Sequence, residues 1–154
     1  MTTMDIDNII QQAEHSCRDN GVRLTSKRKQ ILEVLLQAGA PRSAYEIADL
    51  YRQQTTENIP VMSVYRMLDF LMQNDLVHKL TSNNKFIACA HIACSHSHQA
   101  PQFLICDKCQ QVREIGVDEQ LITALEESIE DKQFHLNSPQ LELHGVCKSC
   151  QQQR

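Results

Sequence analysis

The 154-residue sequence lacks the features that mark membrane, secreted and strongly basic proteins. No apolar run approaches the roughly 20 residues that a membrane-spanning helix needs, so we expect no contact with a membrane. The first residues show no basic segment followed by a continuous apolar stretch, and without a secretory signal we expect a cytoplasmic location. Charge of either sign is in little excess, with 15 Lys and Arg against 19 Asp and Glu. The overall charge therefore does not indicate a nucleic-acid-binding protein, and only local clusters of basic residues could contact nucleic acid.

The seven cysteines do not indicate a disulfide framework, because their number is odd and the expected compartment is reducing. Six of them, together with six of the seven histidines, lie between His78 and Cys150. This clustering indicates metal or redox chemistry in the second half of the chain.

The first half shows helical periodicity in four segments, followed by two strand-like runs around a polar turn at residues 81–84. Side chains that can cap the second, third and fourth helices are Thr25, Ser43 and Ser63. The fourth helix is predicted to run from Val64 to about Asn74. Four helices followed by a hairpin predict a winged helix-turn-helix domain over residues 1–89.

The second half begins with a polar, His-rich linker at residues 90–102. A strand is predicted at 103–106, a helix after Asp118 and a last strand at 141–144. Residues 103–154 are therefore predicted to form a small α+β domain. The fold class of the whole chain is accordingly α+β.

Two Cys-x-x-Cys knuckles, Cys106–Cys109 and Cys147–Cys150, are the strongest motif in the sequence. Four thiolates at this spacing can fill a tetrahedral zinc shell and leave no position for water. The alternatives are a thioredoxin-like redox pair or unligated thiols, but one redox pair would not need the second knuckle. We therefore predict a structural zinc site.

Further metal donors surround the junction between the two halves. They are His78, Cys89, His91, Cys94, His96, His98, Glu114, His135 and His144. Each alone is typical of a surface or linker residue, whereas together they favour a second metal site. A thiolate among the ligands favours zinc over iron or manganese.

These motifs together resemble the ferric uptake regulator superfamily and, within it, the zinc uptake regulator branch. The resemblance runs along nearly the whole chain, through Gly-Val-Arg-Leu-Thr at 21–25, Ser-Ala-Tyr at 43–45, Ser-Val-Tyr-Arg-Met-Leu-Asp-Phe-Leu at 63–71, Val-His-Lys at 77–79 and both knuckles. It implies a repressor of zinc-uptake genes that binds double-stranded operator DNA as a homodimer when zinc is bound. It also implies that the chain is not an enzyme and has no small-molecule substrate, and that residues 103–154 dimerise and bind metal.

The resemblance implies about two zinc ions per protomer. The structural site would use Cys106, Cys109, Cys147 and Cys150. The sensing site would use His78, Cys89, His98 and Glu114, with His96 as an alternative to His98. The linker is longer than usual in the family and adds Cys94 as a donor. Ser138 stands where some relatives carry a further ligand, so we predict no third site.

The fourth helix is expected to read the DNA through Ser63, Tyr65 and Arg66, which face away from its apolar stripe. Contacts with backbone phosphates are expected from Arg23, Lys27, Arg28 and Lys29, with Tyr45 as a further contact. Alternatively, Lys27, Arg28 and Lys29 would simply form a solvent-exposed face of the second helix.

Two other functions compete with this interpretation. A zinc hydrolase or deaminase is disfavoured because the deaminase signature is absent and a four-sulfur site is closed. A repressor that senses iron, manganese or peroxide is the nearer alternative, and Cys89 is the feature against it. Cys17, on the apolar stripe of the first helix, is predicted to be a core residue.

Overall fold

The computed structural model describes residues 3–92, 101–137 and 139–153. The chain divides into two compact units, Met1–His96 and Ser97–Arg154. No helix in the described part of the chain is long and apolar enough to cross a bilayer.

The first unit contains four helices whose apolar faces share one core. The helices are α1 (Thr3–Asp19), α2 (Ser26–Ala38), α3 (Ala44–Thr55) and α4 (Val61–Gln73). Ile31 of α2, Ile47 of α3 and Leu68 of α4 are fully buried in this core. Burial of each such side chain contributes about 1.5–3 kcal/mol of transfer free energy. The helix periodicity read from the sequence is therefore confirmed, and Cys17 is a buried core residue as predicted.

The predicted caps of α2 and α3 are confirmed. Thr25 Oγ1 accepts a hydrogen bond from the backbone N–H of Arg28 at 3.5 Å, and Ser43 Oγ accepts one from Glu46 at 3.2 Å. The predicted start of α4 is wrong: the helix begins at Val61, after Pro60 at the N-cap, and Ser63 lies within its first turn. Proline presets φ for entry into a helix but offers no capping oxygen, so the usual signal is missing there.

A β-hairpin follows α4 and forms the wing. Its strands β1 (Val77–Leu80) and β2 (Lys85–Ala88) pair antiparallel. The backbone of Phe86 exchanges two hydrogen bonds with Arg42, at 2.8 and 2.9 Å, which attaches the wing to the segment before α3. Helices followed by an attached hairpin confirm the winged helix-turn-helix prediction.

The second unit is a three-stranded sheet with two helices. Its elements are β3 (Gln102–Cys106), β4 (Val112–Ile115), α5 (Glu119–Glu130), β5 (Leu141–Gly145) and α6 (Lys148–Gln152). The central strand β3 pairs antiparallel with β4 and parallel with β5. Phe103 and Ile105 of β3 are buried, whereas no residue of α5 is. The α+β prediction is confirmed, although β4 and α6 were not predicted.

Candidate metal centre and DNA-reading helix

The topology of the second unit brings the two knuckles together. Cys106 ends β3, and Cys147 is the N-cap of α6 just beyond β5. Because β3 and β5 run parallel, both strands deliver their knuckles to the same edge of the sheet. The Sγ atoms of all four knuckle cysteines lie within 4.8 Å of one another.

The sulfur geometry fits a tetrahedral zinc ion. The Sγ atoms of Cys109 and Cys147 are 3.8 Å apart. A tetrahedron with Zn–S bonds of about 2.3 Å has a sulfur–sulfur edge of about 3.8 Å. Four sulfur donors suit zinc and complete its shell, so this arrangement can hold a metal but leaves no place for a substrate.

Cys106 is prepared to be a metal ligand by the backbone around it. The backbone N–H groups of Cys109, Cys147 and Lys108 donate hydrogen bonds to its sulfur and lower its pKa to about 6. The bond from Cys147 spans 3.4 Å between N and Sγ. This shift favours the thiolate form of Cys106, which is the form that binds metal.

Two other knuckle cysteines behave in the opposite way. At Cys109 the hydrogen bond from the backbone N–H of Gln111 lowers the pKa. The hydrogen bond with Cys106 and burial together raise it by more, so the pKa lies above its usual value. Hydrogen bonding with Cys147 and burial raise the pKa of Cys150 to about 12. A metal ion entering the site must displace protons from Cys109 and Cys150.

Contacts outside the sulfur shell also join the two knuckles. His144 Nδ1 lies 2.9 Å from Asp107 Oδ1, and the backbone N–H of Asp107 donates to Gly145 O at 2.9 Å. Lys108 Nζ donates to Cys150 O at 3.4 Å. Asp107 could not be predicted from the sequence, because only the tertiary structure places it beside His144. These contacts hold the first knuckle against β5 and the second knuckle, and so help to fix the positions of the sulfur ligands.

Two of the predicted sensing residues lie together in the wing. A ring nitrogen of His78 and the Sγ of Cys89 are within 4.8 Å of each other. The backbone N–H of Cys89 donates to Leu76 O at 2.9 Å, which continues the hairpin pairing to this residue. The wing therefore presents an imidazole and a buried thiol on one side of the hairpin.

The other predicted sensing residues belong to different parts of the chain. Glu114 lies on β4 of the second unit, opposite Phe103, and is half-buried. His98, its alternative His96, and Cys94 lie outside the described residues. Their roles as ligands stay predictions.

Of the three residues predicted to read DNA from α4, only Arg66 has an exposed side chain. Arg66 is exposed on α4, on the side away from the buried Val64 and Leu68. Ser63 is half-buried. Tyr65 is also half-buried, and its ring packs edge-on against Phe86 of the wing, with centroids 6.4 Å apart. At the start of α3, Tyr45 is 67% exposed.

Of the four side chains predicted to contact phosphates, two are exposed and two already make contacts within the protein. Arg23 and Lys27 are exposed. The Arg28 guanidinium stacks 3.7 Å from the centre of the Phe70 ring and donates to Arg23 O at 2.9 Å. Lys29 pairs with Glu14 of α1. DNA contacts by Arg28 and Lys29 would compete with these internal contacts, and all four stay predictions.

Comparisons with known proteins point to one family. The ferric uptake regulator family matches residues 19–144. The chain is 36% identical over 146 residues to the zinc uptake regulation protein of Escherichia coli, covering 92% of this chain and 81% of that protein. Ferric uptake regulation proteins and peroxide-responsive repressors match at lower identity than this relative.

Two solved structures are similar along most of their length. One is a zinc uptake regulator complexed with zinc and DNA, with a TM-score of 0.82 and 30% identity, covering 97% of this chain and 96% of that one. The other is holo XcZur, with a TM-score of 0.78 and 37% identity, covering 92% of this chain and 96% of that one. The family match spans most of the sequence, and the chain belongs to the ferric uptake regulator family.

Proposed function

We propose that this chain is a zinc-responsive transcriptional repressor that binds double-stranded operator DNA as a homodimer and represses zinc-uptake genes. The observation that carries the proposal is the first unit itself, which joins a DNA-reading helix with exposed Arg66 to a wing bearing His78 and Cys89. The similarity to a zinc uptake regulation protein and to a regulator complexed with zinc and DNA supports the same conclusion.

The four-cysteine cluster is proposed to be structural. A zinc ion bound there cross-links the end of β3 to α6. The hydrogen bond from Cys147 N–H to the Cys106 sulfur and the contacts of Asp107 and Lys108 would hold the knuckles in position for it. The closed shell supports a role in folding and argues against a hydrolase.

The sensing site is proposed to combine His78 and Cys89 with Glu114 and His98, or His96 in place of His98. This gives two zinc ions per protomer. A ligand shifts a conformational equilibrium only toward the state that it binds more tightly. Ligands drawn from both units would let zinc favour one arrangement, in which two reading helices of a dimer match half-sites about 34–36 Å apart on DNA.

A homodimer is supported by the apolar surface of the second unit. Leu104 of β3 and Leu143 of β5 are 41% and 51% exposed, and Leu121 of α5 is also exposed. Exposed apolar patches of this kind mark interaction surfaces. Leu104 and Leu143 are paired neighbours on β3 and β5, and a second copy of this unit packed against that face of the sheet would cover both.

Repressors that sense iron, manganese or peroxide are the alternative within the family. The Cys89 thiol favours zinc, because iron and manganese prefer nitrogen and oxygen ligands. We expect the zinc-loaded protein to select duplexes from a random library. Fluorescence anisotropy then measures binding to these duplexes, which is expected only when free zinc is buffered into its cellular range. Equal activation by Mn²⁺ or Fe²⁺ at their cellular concentrations would contradict the zinc assignment. Failure to select any duplex would contradict DNA binding.

A further inference from the structure

An apolar side chain is exposed at the start of the reading helix. Met62 is the second residue of α4 and is 66% exposed. Sequence analysis missed it, because the helix was expected to begin at Val64. A long apolar side chain left in solvent contributes little to the core, so Met62 is available for contact with another molecule.

Met62 shares a helix face with Arg66. Residues four apart on an α-helix lie one above the other, so the two side chains project from successive turns on the same side. Between them on the helix, Val64 is buried in the core, and the ring of Tyr65 packs against Phe86. Met62 and Arg66 are therefore the exposed side chains of residues 62–66.

We propose that Met62 is a specificity-determining residue that contacts a thymine methyl group in the major groove, one helical turn from the base contacted by Arg66. The thymine C5-methyl is the apolar group that this groove displays, and a thioether side chain can pack against it without a hydrogen bond. Met62 would favour a thymine and Arg66 a neighbouring guanine, so together they would select DNA sites that contain both bases. The inference rests on the proposed function, since it requires α4 to enter the major groove.

The test replaces thymine by uracil, which lacks only the methyl group. Duplexes selected by the zinc-loaded wild-type chain are resynthesised with each thymine replaced in turn, and their affinities are measured by fluorescence anisotropy. At one position in each half-site, uracil is expected to weaken wild-type binding about fourfold, the factor for one buried methyl-sized group. Met62→Ala is expected to bind the thymine duplex about fourfold more weakly and to respond no further to uracil at that position.

Gln73→Ala provides the matched control, because Gln73 is exposed at the far end of the same helix. It is expected to keep the full uracil effect. Circular dichroism checks that Met62→Ala is folded, as expected for a change to the best helix former at an exposed site. A Met62→Ala variant that keeps the wild-type uracil effect, or a wild type with none, would overturn the inference while leaving zinc-dependent DNA binding intact. If the wild type selects no duplex, the proposed function fails and the inference fails with it.

Discussion

Cys106 is one of the four sulfur ligands of the predicted structural site, and its backbone hydrogen bonds lower its pKa and so favour the thiolate that binds metal. We predict that Cys106→Ser lowers zinc content by one ion per protomer and unfolds the second unit. Zinc analysis of purified protein and hydrogen exchange over residues 101–153 measure the two effects. Cys17→Ala is the control, since Cys17 is buried in α1 and should not affect zinc. Unchanged zinc stoichiometry in Cys106→Ser would exclude this cluster as the zinc site.

We expect the contact between the His144 and Asp107 side chains to slow the loss of zinc from the structural site. Side chains that orient metal ligands typically change metal affinity by about 10–100-fold, and this contact would act through Asp107, the residue next to the ligand Cys106. His144→Leu is predicted to speed zinc loss to a chelator at least about tenfold. His144→Asn, whose amide nitrogen can replace Nδ1 as a donor to Asp107, is predicted to restore much of the wild-type rate. Equal loss rates in wild type and His144→Leu would show that the contact is incidental.

The engagement of Arg28 shows what residue-level sequence reasoning cannot supply. A basic run at the start of a helix predicts phosphate contacts, and Lys27 is exposed as that pattern requires. Arg28 instead stacks on Phe70, which is 42 positions away in the sequence, and only the packing of α2 against α4 creates that neighbour.

At the scale of elements, the pair of knuckles makes zinc binding depend on pH. The pKa of Cys106 is lowered to about 6, whereas that of Cys109 is raised and that of Cys150 is raised to about 12. Near pH 7 the metal-free site thus holds at least two protons that zinc must displace. Zinc affinity should fall at least about a hundredfold for each unit of decrease in pH around pH 7.

Chelator competition at pH 6.5, 7.0 and 7.5, corrected for titration of the chelator, measures this dependence. Proton release on zinc addition in weak buffer provides an independent check. An affinity that stays constant across this range would contradict the assigned protonation states.

Gln102 fixes the start of β5 against β3. It is fully buried, its Nε2 donates to Pro139 O at 3.0 Å, and its Oε1 accepts from the backbone N–H of Leu141 at 2.9 Å. Gln102→Leu leaves both backbone groups without these bonds and is predicted to lower the free energy of unfolding by about 1–3 kcal/mol. Urea denaturation of zinc-loaded protein measures the change, with exposed Gln120→Leu as a control. Equal midpoints for the two variants would contradict the role of Gln102.

Elements with strong periodicity, caps or a clear turn between two strands were predictable, whereas β4 and α6 were not. Thr25 and Ser43 marked two helix starts because their side-chain oxygens cap them. The start of α4 was missed because Pro60 carries no such oxygen, and Ser63 gave a misleading signal three residues later. Strand β4 was missed because it has four residues, including charged Arg113 and Glu114. Its pairing with β3 is a tertiary contact that sequence alone does not show.

For the whole molecule, the sequence was sufficient to predict a winged helix-turn-helix followed by a small α+β fold. The spacing of the knuckles predicted the four-cysteine cluster, whereas the proximity of His78 and Cys89 follows from the pairing of β1 with β2 in the structure. The sequence favoured His98 as the linker ligand, with His96 as the alternative, and this choice stays a prediction because both residues lie outside the described part of the chain. The proposed zinc response depends on joining ligands from both halves, so it must be tested on the intact chain.

The most direct test of the zinc response is a titration of operator binding against buffered free zinc, by fluorescence anisotropy, for wild type, His78→Ala and Cys89→Ser. The proposal predicts zinc-dependent binding by the wild type. Both variants should lose that response while still retaining one tightly held zinc ion per protomer. Zinc-dependent binding that persists unchanged in both variants would contradict the sensing site, and wild-type binding that is equal with and without zinc would contradict the zinc-responsive repressor itself.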